Sequence, residues 1–255
     1  MGGMARTVHA SPSVPFWHDR HLQIGLWLLL FPLLAAMHFY AIRFGLLRLA
    51  IVLTAAVLWT GLVLLFRSRS LRMAWIAITV GLTLWLALPG APIDAAELRI
   101  EYPQALARYL GTRYVWGGEN ARGIDCSGLV RAGMIDALFA QGVHQRNPRA
   151  IRGAMVLWWD DCSARALGEQ YHGRTRVLRE VRDLNSLDNT KMMPGDFAVT
   201  TSGVHTLAYL GDGTWIEADP SLANGDGVVE MGVPSANPWF RMPMHIVRWR
   251  YFEPS

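Results

Sequence analysis

Cys126 is the residue of this 255-residue chain whose surroundings best suit chemistry. It lies in Tyr114-Val-Trp-Gly-Gly-Glu-Asn-Ala-Arg-Gly-Ile-Asp-Cys-Ser-Gly-Leu-Val130, after a glycine-rich turn and at the head of an apolar run that reads as a helix. A helix start presents unpaired N–H groups and a partial positive charge. A thiol placed there is expected to be pushed toward thiolate, the form that attacks carbonyls. A thiolate that cuts an amide needs a partner to protonate the departing amine. His205, 79 residues downstream at the start of an expected strand, is the candidate. Glu217 and Asp219 lie on the next expected strand. Side chains alternate faces along a strand, so an odd-numbered loop, Gly211-Asp-Gly213, would bring His205, Glu217 and Asp219 to one face. Either carboxylate could then orient the imidazole.

The elements that must hold these groups can be sketched. Tyr102–Leu110 has helical spacing, with Gly111 as its stop, and Ser127–Phe139 reads as a second helix. The polar, arginine-rich stretch from Gln141 to Asp188 reads as helix and loop around one apolar patch, Ala154–Trp159. Pro194-Gly-Asp196 is a turn. Phe197–Thr200, Thr206–Leu210 and Thr214–Ala218 read as short strands, and Met244–Phe252 as a closing one. Helices followed by strands give an α+β domain.

The first third of the chain is different. Ile24–Ile42, Leu49–Phe66 and Met73–Pro89 are apolar runs of 19, 18 and 17 residues without Asp, Glu, Lys or Arg. Each matches the hydrocarbon thickness of a bilayer, so three transmembrane helices are expected. The first run is too long for a cleaved signal and two further spans follow it, so retention is expected. Residues 1–97 carry seven arginines against Asp19, Asp94 and Glu97, whereas residues 98–255 carry 17 basic and 17 acidic side chains. The net charge of +4 therefore belongs to the membrane flanks and does not indicate a nucleic-acid surface. Arg6, Arg20, Arg67, Arg69 and Arg72 flank the leader and second connection, against Arg43 and Arg48 at the first. Five against two places leader and second connection in the cytoplasm and the chain beyond Gly90 outside it. The expected layout is a leader over 1–22, a three-helix membrane region over 23–89, a linker over 90–98 and a folded domain over 99–255.

Tyr-Val-Trp-Gly-Gly, Gly-Ile-Asp-Cys-Ser-Gly-Leu-Val, Pro-Gly-Asp, then His205, a Gly-x-Gly hairpin and a polar residue together resemble the NlpC-type family of papain-like cysteine peptidases. The resemblance covers about Tyr102 to Phe252. It implies helices packed on an antiparallel sheet and hydrolysis of cell-wall peptidoglycan, commonly between D-glutamate and diaminopimelate of the stem peptide. It implies Cys126 as nucleophile, His205 as base, and Tyr114 beside the nucleophile, helping to hold the oxyanion. Glu217 falls where the family usually places its third polar residue, often histidine. Asp125 and Ser127 resemble residues that in some members hold the substrate's free amine, and their other role would be to cap the helix. Trp116, in the same loop, joins them as an expected substrate contact.

The expected protein is thus a multi-pass bacterial inner-membrane peptidase with its catalytic domain on the periplasmic side. Its partners are the peptidoglycan stem peptide, the lipid bilayer and any membrane proteins that the added helices recruit. No Cys-x-x-Cys pair, His-Glu-x-x-His helix or phosphate-cradling loop is present, so no metal or cofactor is expected. Cys162, beside Asp160 and Asp161, is expected to be incidental, and a thiol probe near neutral pH to label Cys126 much faster. Two rivals stand. One is a transglutaminase-like acyl-transfer enzyme with Asp219 as third member. The other is a catalytically idle module that grips wall peptide within a membrane complex.

Overall fold

The computed structural model describes residues 20–65, 68–221 and 227–253. The expected leader, through residue 19, and Arg67 lie outside the described residues. Three long apolar helices come first: α1 (Arg20–Phe39), α2 (Gly45–Leu65) and α3 (Arg69–Ala87). Each is long and apolar enough to cross a membrane. They bury almost nothing on themselves: α1 and α3 have no buried residue, and α2 has Arg48, Ile51, Leu58 and Gly61. A helix apolar all round cannot satisfy itself in water.

Helix α4 (Ala95–Ala107) starts earlier than its periodicity suggests. Asp94 caps it, accepting from the amides of Ala96 and Glu97, so the linker expected over 90–98 ends in the first turn of a helix. The hairpin of β1 (Glu119–Asn120) and β2 (Gly123–Ile124) precedes α5 (Cys126–His144), the central helix of the domain. Helices α6 (Pro148–Trp159) and α7 (Ala164–Gly168) follow.

Six strands form one antiparallel sheet: β3 (Thr175–Val181), β4 (Phe197–Thr200), β5 (Thr206–Gly211), β6 (Thr214–Ala218), β7 (Val228–Gly232) and β8 (Met244–Trp249). Their spatial order is β3-β8-β4-β5-β6-β7. Helices followed by an antiparallel sheet are the α+β class read from the sequence. Three details differ. The two outermost strands, β3 and β7, were not expected, since their alternation is interrupted by Arg176, Arg179, Glu180 and Glu230 on exposed edges. The last strand does not close an edge; β8 lies between β3 and β4. The β5–β6 turn is a two-residue turn, Asp212-Gly213, with an irregularity between Tyr209 and Gly211.

The core has two layers of apolar packing. Leu129, Val130, Met134, Leu138 and Leu106 meet Ala208, Ile216 and Val247 on one sheet face. On the other face Leu207, Tyr209, Trp215 and Ile246 are covered by Leu184, Met192 and Phe240 from loops. The Pro194-Gly-Asp196 turn joins the layers. Asp196, fully buried, receives Arg248 of β8 through two bonds of 2.6 and 2.7 Å and the amide of Met193.

Candidate active site

Cys126 is the first residue of α5, and the loop before it fixes where that helix begins. Asp125 is the cap: one carboxylate oxygen accepts from the Gly128 amide at 2.6 Å and from the Ser127 hydroxyl at 2.9 Å. The other accepts from the Gly117 amide at 2.8 Å. The helix start is pressed against the Gly117-Gly118 turn. A Cβ on Gly128 would come within 2.1 Å of the Gly118 carbonyl oxygen, and Gly117 has a φ of +73°. The motif's glycines are therefore requirements of close approach. The carboxylate and hydroxyl that the sequence offered to a substrate amine are taken up by this cap.

The thiol is only 6% exposed. Burial pushes it up to about 12, and the charge of Asp125 adds to the shift. The amides of Thr206, Ser127 and Cys126 itself pull the other way. Burial thus opposes the lowering that the sequence reading expects from the helix start. Cys162 is also pushed up to about 12 by burial.

The Thr206 amide beside the sulfur belongs to the residue after His205; alternation along β5 puts Thr206 on the Ala208 face that α5 covers and the 205 side chain on the Leu207–Tyr209 face. His205 is buried and its Nε2 lies 2.6 Å from Glu217 Oε2 on β6. Its ring stacks on Trp239, with centroids 4.2 Å apart and planes at 18°. The pairing of Ala208 with Ile216 and Tyr209 with Trp215 places residues 205, 217 and 219 on one sheet face. Only Glu217 meets the imidazole. Asp219 is held by the Ser221 amide and hydroxyl, Asn237 Nδ2 and Trp239 Nε1. Burial raises the Glu217 carboxyl above its ordinary range, opposed by His205.

Asn237 and Trp239 are the members of the cluster that the sequence reading missed. Asn237 Nδ2 donates to both Glu217, at 3.1 Å, and Asp219, at 2.8 Å. They come from a loop with no periodic pattern, and nothing local ties them to His205. Tyr114 is half-buried, and burial first, then the nearby Cys126, Asp125 and Asp219, raises its hydroxyl well above the ordinary tyrosine range. It remains a proton donor beside the sulfur. Trp116 is 80% exposed. Among the described residues no group of His, Cys, Asp and Glu has the arrangement of a metal site.

The comparisons with known proteins agree with this architecture. Residues 111–231, which include Cys126, His205 and Glu217, match the model of the NlpC/P60 family. This segment is of the NlpC/P60 type. Asn237 and Trp239 lie beyond the matched segment. No curated protein matches the chain significantly. Among solved structures, the NlpC/p60 domain of the peptidoglycan hydrolase SagA is 20% identical, with a TM-score of 0.36, covering 58% of this chain and 97% of that one. NlpC2 from Trichomonas vaginalis is 18% identical, with a TM-score of 0.39, covering 65% of this chain and 50% of that one. The peptidoglycan hydrolase RipB from Mycobacterium tuberculosis is 23% identical, with a TM-score of 0.36, covering 60% and 65%.

The N-terminal three-helix unit reaches the loop that carries the cap. Residues 40–44, which connect α1 to α2, lie along the loop that holds the cap. The Arg43 amide donates to the Gly117 carbonyl and the Glu119 amide to the Ala41 carbonyl, both at 3.1 Å. Arg48, fully buried, bonds Glu119 at 2.6 Å, and Arg131 of α5 bonds the same carboxylate. The first connection and the NlpC/P60 domain thus share one end of the three-helix unit. Arg43 and Arg48, read from sequence as membrane flanks, are docking residues.

Proposed function

We propose that the chain is a membrane-anchored cysteine peptidase of the bacterial cell wall, and that Cys126 forms a thioester with a stem-peptide acyl group. The observation that carries this reading is the buried Cys126 thiol beside the Thr206 amide, with the preceding residue, His205, held by Glu217.

The ring nitrogen left for the thiol is Nδ1, since Nε2 is committed to Glu217. Proton transfer from the thiol to Nδ1 accompanies attack of sulfur on the amide carbon. The carbonyl oxygen gains charge and is received by the Cys126 main-chain N–H and the Tyr114 hydroxyl. Collapse breaks the C–N bond, and the imidazolium returns its proton to the departing amine. Water then enters, gives a proton to His205, and attacks the thioester; collapse releases the acid and restores the thiol. Glu217 keeps the ring oriented, and Trp239 fixes its plane. Asp125 and Ser127 hold the helix start, and Trp116 is the exposed surface that substrate can cover.

An acyl-transfer reading with Asp219 as third member is less well supported, because its carboxylate is occupied by Ser221, Asn237 and Trp239. The expected bond is that between D-glutamate and diaminopimelate. Incubating the full chain in detergent with defined muropeptides, and sequencing the products by mass spectrometry, should show that cut and a free amine on the diaminopimelate fragment. Products extended by a second amine would reverse the choice in favour of acyl transfer. The expected membrane topology, with the leader and second connection inside, is tested by protease protection in spheroplasts: the domain beyond residue 90 should be digested from outside.

A further inference from the structure

One cavity lies away from the sulfur. It occupies about 770 Å³ between the membrane helices and the outer face of α5 and α6. That is within the range of about 300–1,000 Å³ typical of small-molecule sites. We propose that it is a binding site for one phospholipid of the surrounding bilayer. The proposal rests on the reading of α1–α3 as membrane spans.

Three observations point to this occupant. The first is depth. One wall is Val52 of α2, seven residues into a 21-residue helix. That places it about 10 Å along the helix from its outer end. With α2 spanning the bilayer, this wall lies in the acyl region, where water-borne solutes do not reach. The second is continuity. Phe139, Met155, Val156 and Trp159 line the cavity and are themselves exposed, at 54%, 53%, 44% and 48%. Leu49 and Leu53, at 41% and 56%, carry the apolar surface on along α2. In water such a patch would be a liability; against lipid it is continuous with the spans.

The third observation is the polar end. Arg43, from the connection above α2, also lines the cavity. It is 7% exposed; its Nη2 donates to the His38 carbonyl at 2.6 Å, and its Nε has no hydrogen-bond partner. The nearby carboxylates are engaged: Glu119 by Arg48 and Arg131, Asp136 by the Tyr109 hydroxyl at 3.0 Å. A guanidinium at headgroup level above an apolar pocket at chain level matches the polarity gradient of a phospholipid. Phosphate would meet Arg43, and one chain would lie along Val52, Met155 and Trp159.

The test uses the full chain in nanodiscs containing phosphatidylcholine with a diazirine-bearing acyl chain. After photolysis, labelled positions are mapped by mass spectrometry. Label is expected on the α5 and α6 peptides that include Phe139, Met155 and Trp159. Val52→Trp, and independently Met155→Trp, fill the cavity and should bring that label to background while leaving label on the far end of α2, around Leu64, unchanged. Absent label on α5 and α6, or label that both fillings leave intact, overturns the proposal. Carbonate extraction of the same samples tests the membrane reading separately: a chain that is extracted refutes the spans, and one that stays while failing to label refutes only the site.

Discussion

Helices α2 and α5 are similar in length and both rich in leucine, alanine and glycine, yet they solve opposite problems. Helix α5 buries thirteen of its nineteen residues inside the NlpC/P60 domain. Helix α2 buries four of twenty-one, and one of those is an arginine. Apolar residues alone do not tell a helix where to go; the solvent on its outside does. What links the two helices is charge. Arg48 of α2 and Arg131 of α5 converge on Glu119, in the hairpin just before the nucleophile. The N-terminal three-helix unit is therefore part of the frame around the candidate site.

The comparison can be broken in several places. The largest effect belongs to the proposed chemistry, which resides in the NlpC/P60 part of the chain. His205→Ala should lower kcat/KM on muropeptides by about 10²–10⁴, the usual share of a general acid–base, with the membrane helices unaffected. Next comes the contrast of solvents. Leu129→Ala, in the core beside Cys126, should cost about 2–5 kcal/mol in thermal unfolding. Leu53→Ala, 56% exposed on α2, should leave stability nearly unchanged. Equal losses would mean that the two helices share one environment after all.

Smaller still is the link between the units. Arg48→Met leaves Glu119 with Arg131, so the loss should fall below the roughly 3–5 kcal/mol of a fully broken buried pair. Arg48→Lys should restore part of it. A change with pH is the smallest expected effect. Burial makes the folded protein hold the Glu217 proton more tightly than the unfolded chain does. The contribution of this group is therefore present at low pH and declines as pH rises above the ordinary value of 4.5. Glu217→Gln should remove that decline from the pH profile of thermal stability while lowering activity.

Much of this was legible in the sequence because it is local. The Asp-Cys-Ser-Gly motif contains its own cap, and the glycines report a close approach whose partner, Gly118, is ten residues away. Strand alternation suffices to bring Glu217 to the face of His205, although the parity came from a two-residue turn plus a bulge and not from a three-residue loop. The remainder was not local. Asn237 and Trp239 act through contacts across eighteen or more residues. Strands β3 and β7 are charged edges whose only apolar signal is one-sided. The thiol's protonation state depended on burial, and a motif does not state how deeply its cysteine is covered. Arg43 and Arg48 were read as topology signals because the groups they meet in the domain, the Gly117 carbonyl and Glu119, lie some seventy residues away.

The central claim is that the sulfur of residue 126 does the cutting. The direct measurement is the rate of muropeptide cleavage by the full chain carrying Cys126→Ala, alongside circular dichroism and the melting temperature. The account predicts that cleavage disappears while the spectrum and melting temperature stay near those of the unmodified protein. Cleavage at an unchanged rate in that variant would contradict it.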